Sequence, residues 1–340
     1  MSRTLRVLVV LAGLAVVTSA CDNGSPSGGP SSSTTTLPVA IAINGSTPTG
    51  SFSGLGPVQR VLVARVVARH DKPRLAADGT LGSSAVEIGY RQFGSGRDLV
   101  LISGEHGSMT SWDPSVLLNL GAHFRVTIFD LPGIGFSAPE ARYRSIGSLA
   151  DLTAGLIWSL GLTKPVVLGW GLGGAIGMSL AERHPSIVSR LVLADATPGG
   201  RTAVQPSKAV AADLSSPLET TTELSRLYFP RSAETQRAEW LADVEGVVPD
   251  AVTSAAIIHQ GELAADFFRS GAVARALHLI RVPTLIFTGA DDEVVPSANA
   301  QILAGSIPHT RLVVFAGAGY ASVFQFSSTF ISDLVAFASS

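Results

Sequence analysis

Short apolar runs of strand length recur from residue 84 to the C-terminus, at 86–90, 99–102, 126–129, 166–168, 191–194, 284–287 and 312–315. Most are continuous, not alternating, the pattern of strands covered on both faces. Stretches of helical character separate them, for example 146–160 and 173–183. Strands alternating with helices predict βαβ units and a mostly parallel central sheet with flanking helices. The interval after Thr197 breaks this rhythm, because 218–228 and 233–243 are helix-like and no convincing strand precedes residue 284. It predicts a helical cap insertion over the sheet, at 198–281. Upstream, 39–43 and 58–68 are apolar, the second broken by Arg60 and Arg65, and both fit strands or a short helix. There is no internal repeat.

The N-terminus reads as an export signal. Arg3 and Arg6 precede an apolar run at 7–17, and Thr18, Ser19 and Ala20 stand directly before Cys21. That run is too short for a membrane span of about 20 residues, and its order of charged, apolar and small residues is that of a signal peptide. Cys21 is the only cysteine in the chain, so no disulfide is available to it. A lone cysteine at a cleavage site resembles the lipobox of bacterial lipoproteins, although Thr18 stands where leucine is usual. The resemblance implies lipidation of Cys21 and anchoring at the extracytoplasmic face of the cell membrane; an ordinary signal peptide is the other reading. The chain then divides into a signal peptide at 1–20, a Gly/Ser/Pro/Thr-rich tether at 21–37, an N-terminal extension at 38–83 and a main domain at 84–340. The tether composition cannot bury enough apolar surface to fold.

Composition narrows the class of partner. With 46 % hydrophobic and 15 % charged residues, the 340-residue chain can bury a large core. A net charge of −2 without a long basic run argues against nucleic acid, which needs clustered Lys and Arg. No His, Cys or carboxylate spacing suggests a metal, and no cofactor is expected.

The residues just beyond each apolar run are where an open parallel sheet gathers its chemistry. They read Asp130-Leu131-Pro132-Gly133-Ile134-Gly135-Phe136-Ser137, then Gly169-Trp170-Gly171-Leu172-Gly173-Gly174, then Gly289-Ala290-Asp291-Asp292-Glu293-Val294-Val295-Pro296, then Phe315-Ala316-Gly317-Ala318-Gly319-Tyr320. In that order they resemble the D-x-P-G-x-G-x-S turn, the nucleophile elbow, the acid segment and the histidine segment of α/β-hydrolases. The resemblance covers about three-quarters of the chain and implies the α/β-hydrolase fold, with nucleophile, acid and base in the family's chain order.

The departures lie at the chemistry itself. Where the family elbow carries serine the chain has Gly171, which offers no attacking atom. The base position is Tyr320, a poor proton acceptor at neutral pH. Asp292 alone keeps its triad position. Gly104 is retained after the run ending at Ile102, so the resemblance leaves an oxyanion hole formed by the backbone N–H groups of Glu105 and Leu172. Ser137 is a turn residue, not a displaced nucleophile. His106 is an alternative base, with Glu105 or Asp292 orienting it, and Asp195 is a second position for an acid. Trp170, Leu172, His106, Tyr320, Phe267 and Phe268 are expected to line the pocket.

Together these residues imply a catalytically impaired member of the family, a pseudoenzyme that binds a small apolar or ester-like ligand, or an envelope protein. Two alternatives stay open. One is an active esterase-like hydrolase or lyase with a rearranged site using His106 and the retained oxyanion hole. The other is a structural or adaptor lipoprotein of the cell envelope.

Overall fold

The computed structural model describes residues 42–43, 55–64, 85–105, 107–139, 143–215, 221–244 and 252–340. The signal segment, Cys21, the tether and His106 lie outside the described residues. Among the described residues nine strands form one sheet: β1 (Ala42–Ile43), β2 (Gln59–Ala64), β3 (Ala85–Gly94), β4 (Arg97–Ile102), β5 (Phe124–Phe129), β6 (Val166–Trp170), β7 (Arg190–Ala194), β8 (Thr284–Gly289) and β9 (Thr310–Phe315). Their spatial order is β1-β2-β3-β5-β4-β6-β7-β8-β9. The first strands pair antiparallel as far as β3 with β5, and every pair from β5 to β9 is parallel.

Period-2 alternation divides the core between the two faces of the sheet. On β4, Val100 and Ile102 pack with α2 (Ile146–Ser159) and α3 (Leu172–Arg183). Leu99 and Leu101 turn the other way, towards α1 (Pro114–Gly121) and Trp112. Burial on both faces is why β4, β6 and β8 read as unbroken apolar runs, whereas the edge strand β9 is largely half-exposed.

The sheet begins earlier than residue 84, the boundary that the sequence pattern suggested. β2 pairs with β3 from Gln59 opposite Tyr90 to Ala64 opposite Ala85. Val61 and Val63 face the core, and Arg60 points out, 3.6 Å from Glu87. Arg60, which obscured the pattern, belongs to the outward half of an alternating strand.

Between β7 and β8 the described residues form helices and no strand: α4 (Lys208–Ser215), α5 (Thr221–Tyr228), α6 (Glu234–Val244), α7 (Ser254–Ser270) and α8 (Ala272–Ala276). Their apolar faces join both halves of the core, Leu263 and Phe267 one and Leu214 and Trp240 the other. The longest, α7, is capped at its start by the Thr253 side chain, which accepts from Ala256 N–H, and ends at Gly271 in the left-handed region (φ 57°). The chain closes through α9 (Ala298–Ser306), α10 (Ser322–Gln325) and α11 (Ser327–Ser339). Among the described residues no helix is long and apolar enough to cross a membrane.

Candidate functional site

Loops following β4, β6, β7, β8 and β9 carry Glu105, Gly171, Asp195, Asp292 and Tyr320 to the carboxyl edge of the parallel strands. The turn at 130–137 fixes the first of these loops. Asp130 is fully buried; its Oδ1 accepts from Met109 N–H at 2.7 Å and its Oδ2 from Phe136 N–H at 2.9 Å. Ser137 locks the same turn, its hydroxyl donating to the Asp130 carbonyl at 2.7 Å and accepting from Gly89 N–H at 2.9 Å. Ser137 is thus a structural clamp.

The elbow keeps its shape without its nucleophile. Gly171 has φ 54° and ψ −117°, a conformation that costs any side-chain-bearing residue strain. Gly173 is pressed against the Ile102 carbonyl, which would meet any Cβ placed there, so α3 sits tight on the strand ends. At Gly171 the obstacle is different. A Cβ there would overlap the Tyr320 hydroxyl, far inside the 3.0 Å that real Cβ atoms respect. Tyr320 reaches into the space a serine side chain would need.

Aromatic packing holds Tyr320 in that place. Its ring lies 5.0 Å from Trp170 and 5.4 Å from Tyr228, centroid to centroid, and Trp170 Nε1 donates to the Tyr320 carbonyl at 3.1 Å. Trp170 is 2 % exposed and packs against Tyr320 as a buried support. Gly104 lies beside the same group, with the Tyr320 hydroxyl 3.5 Å from where its Cβ would stand. Burial and the neighbouring Tyr228, Asp292, Asp195 and Glu105 push the Tyr320 hydroxyl well above its ordinary pKa, so it stays protonated.

The acids carry the mark of a missing partner. Asp292 Oδ1 accepts from the N–H groups of Val294 and Val295, both at 2.8 Å, while Oδ2 is buried with no hydrogen-bond partner. In a working triad the buried carboxylate bonds an imidazole; here the residue at the position that the resemblance gives to the histidine is Tyr320, and Asp292 Oδ2 bonds nothing. Burial pushes the Asp292 carboxyl up to about 8. Asp195, fully buried, accepts from Gly289 N–H at 3.2 Å through Oδ1 and from the Ser322 hydroxyl at 3.0 Å through Oδ2. Burial and the nearby Asp292 raise its carboxyl well above the usual range.

Glu105 was expected to offer its backbone N–H and to orient His106, which lies outside the described residues. Glu105 Oε1 is buried without a hydrogen-bond partner, and burial pushes the carboxyl up to about 8. It faces a cavity of about 120 Å³ whose apolar walls include Leu172, Leu214, Phe267, Phe268 and Val294, with Gly171 and Tyr320 at one side. Leu172 opens α3, so its N–H has no intrahelical carbonyl. Thr197 and Gln205 add polar atoms, and no Lys, Arg or His lines the cavity among the described residues. Phe267 also borders a second space of about 250 Å³ between α2, α3, α7 and α8. The signal for Glu105 was an acid directly after Gly104, where the family loop overhangs its site.

His184 and His259 are engaged elsewhere. His184 Nε2 lies 2.9 Å from Asp151, which also holds Arg183 in a two-bond pair, a buried tie between α2 and α3. His259 Nε2 lies 2.6 Å from the Tyr143 carbonyl. Among the described residues no group of His, Cys, Asp or Glu could hold a metal ion.

Comparison with known proteins agrees with this architecture. The profile of the alpha/beta hydrolase fold family matches residues 99–326. The chain is similar to a pimeloyl-(acyl-carrier protein) methyl ester esterase of Edwardsiella ictaluri, 28 % identical over 250 residues, covering 71 % of this chain and 93 % of that one. Among solved structures it resembles an alpha/beta hydrolase fold protein from Chitinophaga pinensis, with TM-score 0.66, 21 % identity, 75 % of this chain and 94 % of that chain covered. It also resembles the esterase RhEst1 from Rhodococcus sp., with TM-score 0.62, 22 % identity, 82 % and 98 % covered. At these identities the two structures speak for the fold alone. With a family match spanning well over half its length and a sheet that carries the elbow, acid and base loops at one edge, the chain belongs to the α/β-hydrolase fold family.

Proposed function

We propose that this chain binds a small apolar or ester-like compound between the sheet and the helices of the β7–β8 interval, without serine-based turnover. One observation carries the reading: the Tyr320 hydroxyl fills the position from which a nucleophile at 171 would act. A serine there needs both the space and a base, and the phenol removes both. Export and lipid anchoring through Cys21 belong to the same proposal, supported by the order of charged, apolar and small residues before the chain's one cysteine. An envelope protein is the alternative occupant of the cavity's mouth.

The relatives favour a second reading, hydrolysis. A methyl ester esterase that matches most of its own length to this chain supports an active hydrolase more than a binding protein. Hydrolysis here would have to activate water directly, and Glu105 is the unpartnered carboxyl at the cavity. Only its carboxylate form is a base, so such a rate would rise with pH through about 8.

A panel of short- and medium-chain nitrophenyl esters separates the two readings. The full chain is expected to match the buffer rate at every pH from 6 to 10. Turnover that climbs with pH and disappears in Glu105→Gln would establish the hydrolase instead.

A further inference from the structure

The larger space between α2, α3, α7 and α8 lies apart from the elbow, and Phe267 is the wall it shares with the cavity beside Gly171. Its inner lining is apolar, with Met178, Phe267 and Ile280 all buried. Its outer lining is charged, and the charges stand on facing walls. Arg183, at the end of α3, lies over the first turn of α2, its Nη1 3.6 Å from where a Cβ of Gly147 would stand. Asp266 belongs to α7, on the opposite wall.

These groups keep unused bonding capacity. Asp151 takes Nε and Nη2 of Arg183 and leaves Nη1 without a partner. Asp266 accepts from Arg269 through Oδ1, which leaves Oδ2. Ser179 lies one helical turn before Arg183 on the same face of α3 and is 6 % exposed. Its hydroxyl makes no hydrogen bond among the described residues, yet it is not sealed from the cavity. A buried hydroxyl without a partner costs free energy until something bonds it. Beside it the N–H groups of Ile146 and Gly147, in the first turn of the 14-residue α2, have no intrahelical carbonyl, and the positive end of that helix favours a negative charge.

We infer that this space is a second binding site, for a small zwitterion of the α-amino-acid class with an aliphatic side chain: its carboxylate is held by Arg183 Nη1, the Ser179 hydroxyl and the N–H groups that open α2, its ammonium by Asp266, and its aliphatic body by Met178, Phe267 and Ile280. The site is independent of the binding role proposed for the cavity beside Gly171.

Charge decides the class. A simple anion would meet Asp266 and a simple cation would meet Arg183, a like charge in either case, whereas a zwitterion satisfies both walls. Glu182, in the same wall as Arg183, already has an interaction within the protein. The charged ends lie toward solvent, where the Arg183 and Asp266 side chains are 25 % and 36 % exposed, so the ligand's charges are not taken fully out of water. Size agrees. A cavity of about 150 Å³ holds benzene, and about 250 Å³ leaves room for a body the size of leucine.

The test is calorimetric titration of the full chain at pH 7 with L-leucine, with isocaproate, which lacks the ammonium, and with isoamylamine, which lacks the carboxylate. Leucine is expected to bind at least about tenfold more tightly than either. Asp266→Asn is expected to abolish the advantage of leucine over isocaproate. Arg183→Lys, which keeps a cation for Asp151 and is checked for fold by circular dichroism, is expected to abolish its advantage over isoamylamine; should that variant not fold, Asp266→Asn tests the charge pairing without touching the buried Asp151 pair. Ser179→Ala is expected to weaken leucine at least about threefold, and Ala211→Leu, which narrows the cavity beside Gly171, to leave it within about twofold. Isocaproate or isoamylamine bound as tightly as leucine would overturn the inference by making this a site for a single charge. Leucine binding that survives Asp266→Asn unchanged would overturn it, as would binding lost in Ala211→Leu, which would place leucine in the other cavity. No detectable leucine binding by the folded wild-type chain would overturn it too, and would leave the binding role of the cavity beside Gly171 standing.

Discussion

Two turns at the same edge of the sheet have kept their shape to different ends. In the turn at 130–137 each buried side chain meets its demand: both Asp130 oxygens accept backbone N–H groups, and Ser137 both donates and accepts. At the corner formed by Gly171, Asp292 and Tyr320 the backbone geometry persists, yet Asp292 Oδ2 and, nearby, Glu105 Oε1 are buried and unpartnered. The first turn shapes the scaffold, and its polar atoms serve folding. In the second, Asp292 and Glu105 each keep an oxygen that no group of the protein bonds, and burial holds both carboxyls protonated well above the usual range.

The contrast can be broken most forcefully in the satisfied turn. Asp130→Ala strands two backbone donors in the core and is expected to cost about 3–5 kcal/mol, read as a shift in urea midpoint. A loss below about 1 kcal/mol would show that the turn is not held as described.

At the corner the expected effects are smaller and coupled. Gly171→Ser alone drives a side chain into the Tyr320 hydroxyl and should cost about 1–3 kcal/mol. Adding Tyr320→His shortens the opposing side chain and is expected to return most of that loss, a non-additivity of about 1 kcal/mol or more. Additive losses would place Tyr320 elsewhere.

Stability should also depend on pH with a sign set by the orphan acids. Glu105 and Asp292 hold protons up to about 8 in the native state, whereas the unfolded chain releases them near about 4. Between those limits the native state binds more protons, so stability falls as pH rises, by about 1.4 kcal/mol per pH unit for each carboxyl. Asp292→Asn and Glu105→Gln should each remove one such slope in denaturation series from pH 5 to 8. The smallest effect belongs to Asp292→Asn at pH 6, where the carboxyl is already neutral and the change is expected to stay within about 1 kcal/mol.

Much of the fold was legible because burial on both faces leaves continuous apolar runs. The runs at 99–102, 166–168 and 284–287 fall inside β4, β6 and β8. β2 was not legible, since Arg60 is an outward residue of an alternating strand and looks like an interruption when its partner β3 is unknown. The loop positions of the site were equally readable from their motifs. What they do there was not, because it depends on contacts between distant segments. Nothing local says that the tyrosine at 320 enters the space above Gly171, or that Trp170 ties its carbonyl 150 residues away. The apolar wall of the cavity that Glu105 lines likewise comes from helices of the β7–β8 interval, through Leu214 and Phe267.

Ester hydrolysis by the wild-type chain beside Gly171→Ser/Tyr320→His bears most directly on whether the elbow has been emptied and blocked. The double substitution returns the serine and the imidazole to a corner where Asp292 and the start of α3 are still in place. The wild-type chain is expected to match buffer, and the double variant to exceed it at least about tenfold, with neither single substitution doing so. Wild-type turnover above buffer that is lost in Glu105→Gln would contradict this, and would show that water chemistry survives at a corner the serine has left.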